Sequence, residues 1–264
     1  MSSMSPEVPK IDPAHVSTAC ALLIGNEVLN GSIADCNLVA LARTLRSVGI
    51  RLKRALVLPD DIAILSEEIR EASHQFDVVF TSGGVGPTHD DVTIAAAARA
   101  FDVDTITSEE LRKALVNHYG EPLSEGHERL AVVPRGSRMV KVPESTWPTI
   151  VMHNVWILPG VPAIFRAKLT AVRHSLKGPV HFYSCAVMCR SDELTLKSLI
   201  DQTVQANPAV EVGSYPLWPP TDAQTKVTFE GTDTLIVQAA VDQFVSSLPA
   251  NDLLRVDDTS EKGE

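Results

Sequence analysis

No run of basic residues occurs anywhere in the sequence. Its 264 residues carry 23 Lys and Arg against 33 Asp and Glu, a formal net charge of −10 and a pI near 5.3. A nucleic-acid backbone is held by a basic stripe that displaces counterions, so a nucleic-acid partner is not expected. Long apolar runs are missing too: no stretch approaches the roughly 18–20 residues that span a bilayer, and no membrane association is expected. The opening MSSMSPEVPKIDPAHVS has neither the basic nor the apolar segment of an export signal, which points to the cytoplasm. There are four cysteines, Cys20, Cys36, Cys185 and Cys189, with no CxxC spacing and no neighbouring histidine. They read as buried, reduced thiols and not as a zinc site. No internal repeat is apparent.

What remains is ordinary for a globular protein: 44% hydrophobic and 21% charged residues, in a chain long enough to bury one large core and a smaller companion. Residues 1–15 read as a flexible tail, as do 259–264. Between them, apolar runs alternate with helical periodicity. Ser17–Gly25 reads as a buried strand, Asp35–Val48 as a helix ended by Gly49, Leu52–Leu58 as a strand and Asp61–Ser73 as a helix. Asp77–Thr81 is a short strand, and Thr88 is expected to open a helix running to Phe101. Ser108 caps a helix to Tyr119, a proline-punctuated section runs from Pro134 to Pro148, Val151–Leu158 reads as one strand, and Pro162–Ser175 as a helix. Strands apolar on both faces, separated by helices, imply a three-layer α/β/α domain around a largely parallel sheet, over residues 16–177. After Gly178-Pro179 the pattern changes to strand, helix, strand, strand, helix, a small α+β subdomain over 178–258.

An acidic protein that binds phosphates must use backbone N–H groups, a few placed cations or a bridging metal. The segment TSGGVGPTHDD (Thr81–Asp91) fits the first and third of these. It follows a buried strand, the usual location of ligand sites in open parallel sheets. Gly83, Gly84 and Gly86 permit close backbone approach, Pro87 follows, and Thr88 with Asp91 has the spacing of a capping box. Amides at such a helix start form an anion site. Two bare carboxylates would repel a phosphate unless a divalent cation lay between, and Mg²⁺ is held by one or two carboxylates plus phosphate oxygens. Asp90 is therefore read as a metal or substrate ligand, and Asp91 is divided between capping and binding. His89 reads as an exposed loop histidine. A second segment, IGNEVLNGSIADCN (Ile24–Asn37), places Gly25, Glu27, Asp35 and Asn37 at the same sheet edge, with helix capping the competing role for Asp35. A third, ILPGVP (Ile157–Pro162), brings Gly160 to that edge or forms a purely structural turn.

GNEVLNG–DCN, GGVGPTHDDVT and LPGVP, in this order, resemble the molybdopterin-binding-like family that includes MogA, MoaB and the N-terminal domain of CinA, over about residues 17–170. THDDVT, AFDV, HNVWILPGVP and VGSYP (Val212–Pro216) are similar to the molybdopterin-binding-like domain of FAD synthases. The chain departs from the pattern at Asn26, where Asp is usual, at Ala95, where the FAD-synthase branch has Glu, and at Glu144–Thr149, where other members carry a small-residue loop. The resemblance implies metal-dependent hydrolysis of a nucleotide pyrophosphate of the FAD or ADP-ribose type, with Mg, Mn or Co. Asp90 and Asp91 would hold metal and phosphate, the Gly83–Thr88 amides would stabilise charge on the phosphate oxygens, and Glu27 is the candidate base. Gly25, Asp35, Asn37 and Gly160 would line the pocket. The alternatives it leaves open are molybdopterin binding or adenylylation, and a non-catalytic nucleotide or pterin binder. It also implies a homo-oligomer.

Overall fold

Residues 16–143, 147–219 and 222–258 are described by a computed structural model of the protein; both expected tails, and residues 144–146 of the Glu144–Thr149 stretch, lie outside them. The chain divides into two units, Met1–Pro179 and Val180–Glu264.

The first unit runs β1 (Thr18–Ile24), α1 (Asn26–Leu29), α2 (Asn37–Ser47), β2 (Arg51–Leu58), α3 (Ile62–Gln75), β3 (Val78–Ser82), α4 (Thr93–Ala100), β4 (Thr105–Thr107), α5 (Glu109–Tyr119), α6 (Glu125–Arg129), β5 (Val132–Pro134), β6 (Arg138–Val140), β7 (Thr149–Met152), β8 (Val155–Leu158) and α7 (Pro162–Ser175). Its main sheet has the order β2-β1-β3-β8-β7-β6. The first four strands are parallel, and β7 and β6 return antiparallel.

Strand periodicity sorts the side chains into two cores. Ala19, Ala21, Val78, Phe80, Trp156 and Leu158 face α2 and α7, meeting Leu41, Leu45, Phe165 and Leu169. Cys20, Leu22, Val79, Val155 and Ile157 face α3 and α4, meeting Leu65, Ile69, Ala96 and Ala97. The three-layer, largely parallel α/β expectation thus holds. Asp77 fixes the bottom of the sheet: its Oδ2 accepts from the N–H groups of Ser17 and Thr18 at 2.8 and 2.9 Å and from Thr18 Oγ1 at 3.0 Å, tying the start of β1 to that of β3.

Three sequence expectations need correction here. The single strand over Val151–Leu158 is a hairpin, β7 turning at His153 and Asn154 into β8. His153 has a φ of 50°, and Asn154, only 4% exposed, donates to the carbonyls of Ser73 and Phe76 and accepts from Ser73 Oγ. A buried amide satisfied in this way stabilises a turn where the apolar run suggested continuity. The segment after Gly25 holds the short helix α1, and the following helix starts at Asn37, two residues after Asp35. Among the cysteines, Cys20 and Cys189 are buried but Cys36 is exposed.

The second unit runs β9 (Tyr183–Cys189), α8 (Glu193–Ala206), β10 (Glu211–Pro216), β11 (Thr225–Gly231), α9 (Thr234–Ser246) and β12 (Leu253–Asp258). The strands form an antiparallel sheet, β10-β11-β9-β12. Val187, Val227 and Phe229 pack on Leu196, Val237, Val241 and Phe244 of the helices. The strand β12 adds a last element that the alternation did not reveal.

Candidate functional site

Strands β1, β3 and β8 end side by side, and their terminal loops carry Gly25, Gly83 and Gly160. Two glycines are fixed by sterics. Gly83 has φ +112°, and a β-carbon there would stand 2.2 Å from the Ile24 carbonyl oxygen. Gly84 has φ +65°, and its β-carbon would meet Thr93 Oγ1 at 2.3 Å. A side chain at either position would push the loop off the sheet edge.

Two buried polar residues hold this junction. Thr93 is fully buried; its Oγ1 donates to the Gly83 carbonyl at 2.8 Å and its N–H to the Gly84 carbonyl at 2.9 Å. Asn37, 3% exposed, donates from Nδ2 to Ser82 Oγ at 3.0 Å and to the Gly160 carbonyl at 2.8 Å. It thereby joins the loops after β3 and β8 to the first turn of α2. Its Oδ1 is buried without a hydrogen-bond partner among the described residues.

The glycine loop itself departs from the expected helix start. Helix α4 begins at Thr93, not at Thr88, and Val92 occupies its N-cap position without a side-chain cap. Asp91 Oδ2 instead accepts from Thr88 N–H at 2.8 Å and from Thr88 Oγ1 at 2.5 Å. The contact that would form a capping box closes a loop of four residues ahead of the helix, so neither Asp90 nor Asp91 lies in a helical turn. Pro87 and Thr88 are exposed. The N–H groups of Gly84, Val85 and Gly86 have no acceptor among the described residues. Three consecutive unpaired amides are donors available to an anion.

Of the acids, Asp90 is exposed, 4.0 Å from the still more exposed His89. Its carboxyl lies below the ordinary carboxylate value, through hydrogen bonding from the Thr88 side chain and then from its own N–H. The single hydroxyl proton of Thr88 goes to Asp91 at 2.5 Å, so the backbone N–H is the cause compatible with that geometry. Asp35 Oδ1 accepts from Leu38 N–H at 2.9 Å, which is capping of α2. Glu27, on α1, is exposed and folds its carboxylate back over Gly25. It forms no hydrogen bond or ion pair with Asp90 or Asp91 among the described residues. Next to Gly25, Asn26 N–H is held by Asp60 Oδ2 at 2.8 Å, where β2 ends.

Behind the loop lies a cavity of about 400 Å³, within the size range of small-molecule sites. Gly86, Val85 and Asp91 form one wall; Ile94, Leu115, Tyr119, Trp147, Ile157 and Ile164 supply most of the rest, with Arg129 and Lys168. Ile157 opens the third segment and Trp147 stands in the departing Glu144–Thr149 stretch, whereas Ile94, Leu115, Tyr119, Arg129, Ile164 and Lys168 were not singled out from the sequence. One signal was available. Lys168 falls in the buried stripe of α7 with Phe165, Leu169 and Val172, where an apolar residue is the rule.

The donors fit a divalent ion in one way only. Among the described residues no group of three or more His, Cys, Asp or Glu side chains stands close enough to hold one, and Asp91 already serves Thr88. Asp90, exposed in the same loop as the free amides, is the carboxylate left for an ion whose remaining ligands are phosphate oxygens.

Comparison with known proteins matches this geometry to a family. The family described as "Probable molybdopterin binding domain" matches residues 20–177, and "FAD synthase, middle domain" matches 181–257. A protein of Archaeoglobus fulgidus is 35% identical over 225 residues, covering 84% of this chain and 93% of its own. The "Probable FAD synthase" of Caenorhabditis elegans is 32% identical over 252 residues, covering 85% of this chain, which spans only 48% of that protein. Among solved structures, the CinA protein of Thermoplasma acidophilum is 30% identical with a TM-score of 0.55, covering 62% of this chain and 98% of that one. A match to residues 20–177, which hold the glycine junction and all three loops that meet there, makes the chain a member of the molybdopterin-binding domain family.

Proposed function

We propose that the chain binds a phosphate-bearing nucleotide or pterin at the glycine junction and hydrolyses the pyrophosphate bond of a dinucleotide of the FAD or ADP-ribose type. The observation that carries this reading is the set of three unpaired amides, Gly84 to Gly86, in the loop that also carries the exposed carboxylate of Asp90. Such amides donate to phosphate oxygens and stabilise charge that builds there during attack on phosphorus. The FAD-synthase relative and the match to the FAD-synthase middle domain support the nucleotide class.

In this mechanism Gly84–Gly86 hold the phosphate under attack, and Asn37 positions the loop from below through Ser82 and the Gly160 carbonyl. Asp91 keeps the loop closed through Thr88, and Glu27, on α1, takes the proton of the attacking water. A divalent ion (Mg, Mn or Co), held by Asp90 and the phosphates, would neutralise charge and polarise the phosphoryl group. The test is AMP release from FAD, ADP-ribose and NADH with each metal in turn. Metal-dependent AMP formation is expected, with a loss of at least tenfold in Asp90→Ala. Binding of molybdopterin without any hydrolysis would replace this reading with the cofactor-binding one.

A further inference from the structure

The cavity behind the glycine loop holds a positive charge that its own walls do not balance. Lys168, on α7, is 7% exposed, and its ammonium donates to the carbonyls of Trp147 at 2.5 Å and Pro148 at 2.8 Å. Both acceptors are neutral, and an ammonium has a third N–H to give. Lys168 forms no ion pair among the described residues. Burial alone moves it from 10.5 down to about 8, with no carboxylate near enough to oppose the shift. A neutral amide side chain could satisfy two carbonyls, so they do not account for the charge. A buried charge without a counter-charge is costly.

The rest of the wall leaves that imbalance in place. Among the described residues its charged groups are Lys168, Arg129 and Asp91, and Tyr119 is its other titratable side chain. His118 and His127 pack on Tyr119, with ring centroids 4.6 and 4.2 Å away. Arg129 forms no ion pair among the described residues. Asp91 turns Oδ2 to the N–H and hydroxyl of Thr88 and pairs with neither cation. Two cations thus share the cavity with one carboxylate, an excess of one positive charge. The hydroxyls of Thr105 and Tyr119 accept hydrogen bonds but carry no charge to offset it. Ile94, Leu111, Leu115, Ile150, Ile157 and Ile164 make much of the remaining wall apolar.

We propose that this cavity is a binding site for a small apolar carboxylic acid, held as its carboxylate by the remaining N–H of Lys168, with its aryl or alkyl part against the isoleucine and leucine wall. One carboxylate supplies the single negative charge that the wall lacks. A phosphate monoester, with about two negative charges near neutral pH, overshoots it. The site stands apart from the phosphate reading of the loop, since it needs neither the Gly84–Gly86 amides nor Asp90.

The experiment separates charge from shape. Benzoate and phenylacetate are titrated against the whole chain by calorimetry at pH 7, beside benzamide, which keeps the ring without the charge, and phenyl phosphate. Both carboxylates are expected to bind, with benzamide about ten- to a hundredfold weaker, the range for a hydrogen bond to a charged group. In Lys168→Met and Lys168→Gln, benzoate affinity should fall to the benzamide level. The Gln variant keeps a donor for the Trp147 and Pro148 carbonyls and carries the test if the Met variant does not fold. Raising the pH to 9.5 should weaken benzoate about tenfold in the native chain, as the ammonium loses its proton, and leave Lys168→Gln unaffected. Inorganic pyrophosphate affinity should be the same in the native chain and Lys168→Gln. No binding of either carboxylate, equal affinity for benzoate and benzamide, tighter binding of phenyl phosphate, or benzoate affinity unchanged in the Gln variant would overturn the proposal. A loss of pyrophosphate affinity in Lys168→Gln that parallels the loss of benzoate would place Lys168 in the phosphate site and overturn it as well.

Discussion

Replacing Lys168 by methionine should change how the stability of the first unit depends on pH. In the folded chain this ammonium is moved from 10.5 to about 8 by burial, and its 7% exposure leaves little screening to discount. A lysine whose folded value is depressed penalises the folded state wherever the unfolded chain is still protonated. The penalty is therefore full below about pH 8 and disappears as pH rises toward 10.5. At pH 7 it amounts to about 3 kcal/mol, and at pH 9.5 to about 1.5 kcal/mol. Methionine removes it at every pH but takes from the Trp147 and Pro148 carbonyls the hydrogen bonds of the Lys168 ammonium, a loss of roughly 1–3 kcal/mol each. The absolute difference between the two proteins at pH 7 is thus small, while its pH dependence is not. Urea unfolding at pH 7 and 9.5, followed by tryptophan fluorescence, should show the native chain gaining about 2 kcal/mol relative to Lys168→Met as pH rises. Parallel pH profiles would mean that Lys168 is solvated and carries no penalty, refuting the reasoning. Other groups that titrate in this range, including Cys20, raised by burial to about 11, act in both proteins and cancel in the difference.

Other outcomes follow from the same geometry. Asp77→Ala removes the acceptor of three hydrogen bonds at the start of β1 and should lower unfolding stability by about 2–3 kcal/mol, read from urea denaturation. Trp156→Ala empties a fully buried position in the core between the sheet and α7; a loss of about 3–5 kcal/mol in the same assay is expected. Gly84→Ala must adopt φ +65° and displace Thr93 Oγ1, costing roughly 1–2 kcal/mol in backbone strain alone. It should abolish pyrophosphate binding by calorimetry, and undiminished pyrophosphate affinity would dissociate the loop from phosphate.

The parallel core was legible because β1 and β3 are apolar on both faces, a pattern that only a strand covered by two helical layers requires. The glycine loop was legible because its residue types are fixed by sterics that act locally. The start of α4 was not. Thr88 and Asp91 stand three apart, and that spacing serves both a helix cap and a self-closed loop; the choice is made by Thr93, whose buried hydroxyl and N–H hold Gly83 and Gly84 from the first helical position. Likewise the hairpin between β7 and β8 depends on Asn154 finding acceptors on α3, a long-range contact that sequence spacing does not encode. Lys168 was passed over since a charged residue in a helix is ordinarily assigned to the solvent side, although its place between Phe165 and Leu169 marked the inner stripe. The strand β12 alternates apolar with charged residues at a sheet margin, and its charges concealed it.

The amide of Asn37 spans three chain segments that are far apart in sequence. Since one side chain ties α2, the end of β3 and the turn at Gly160 together, a shift of any one of them is passed to the other two. Substitutions at residues 26–36 and 85–91, which it does not hold, change the surface around the junction and leave the junction itself in place.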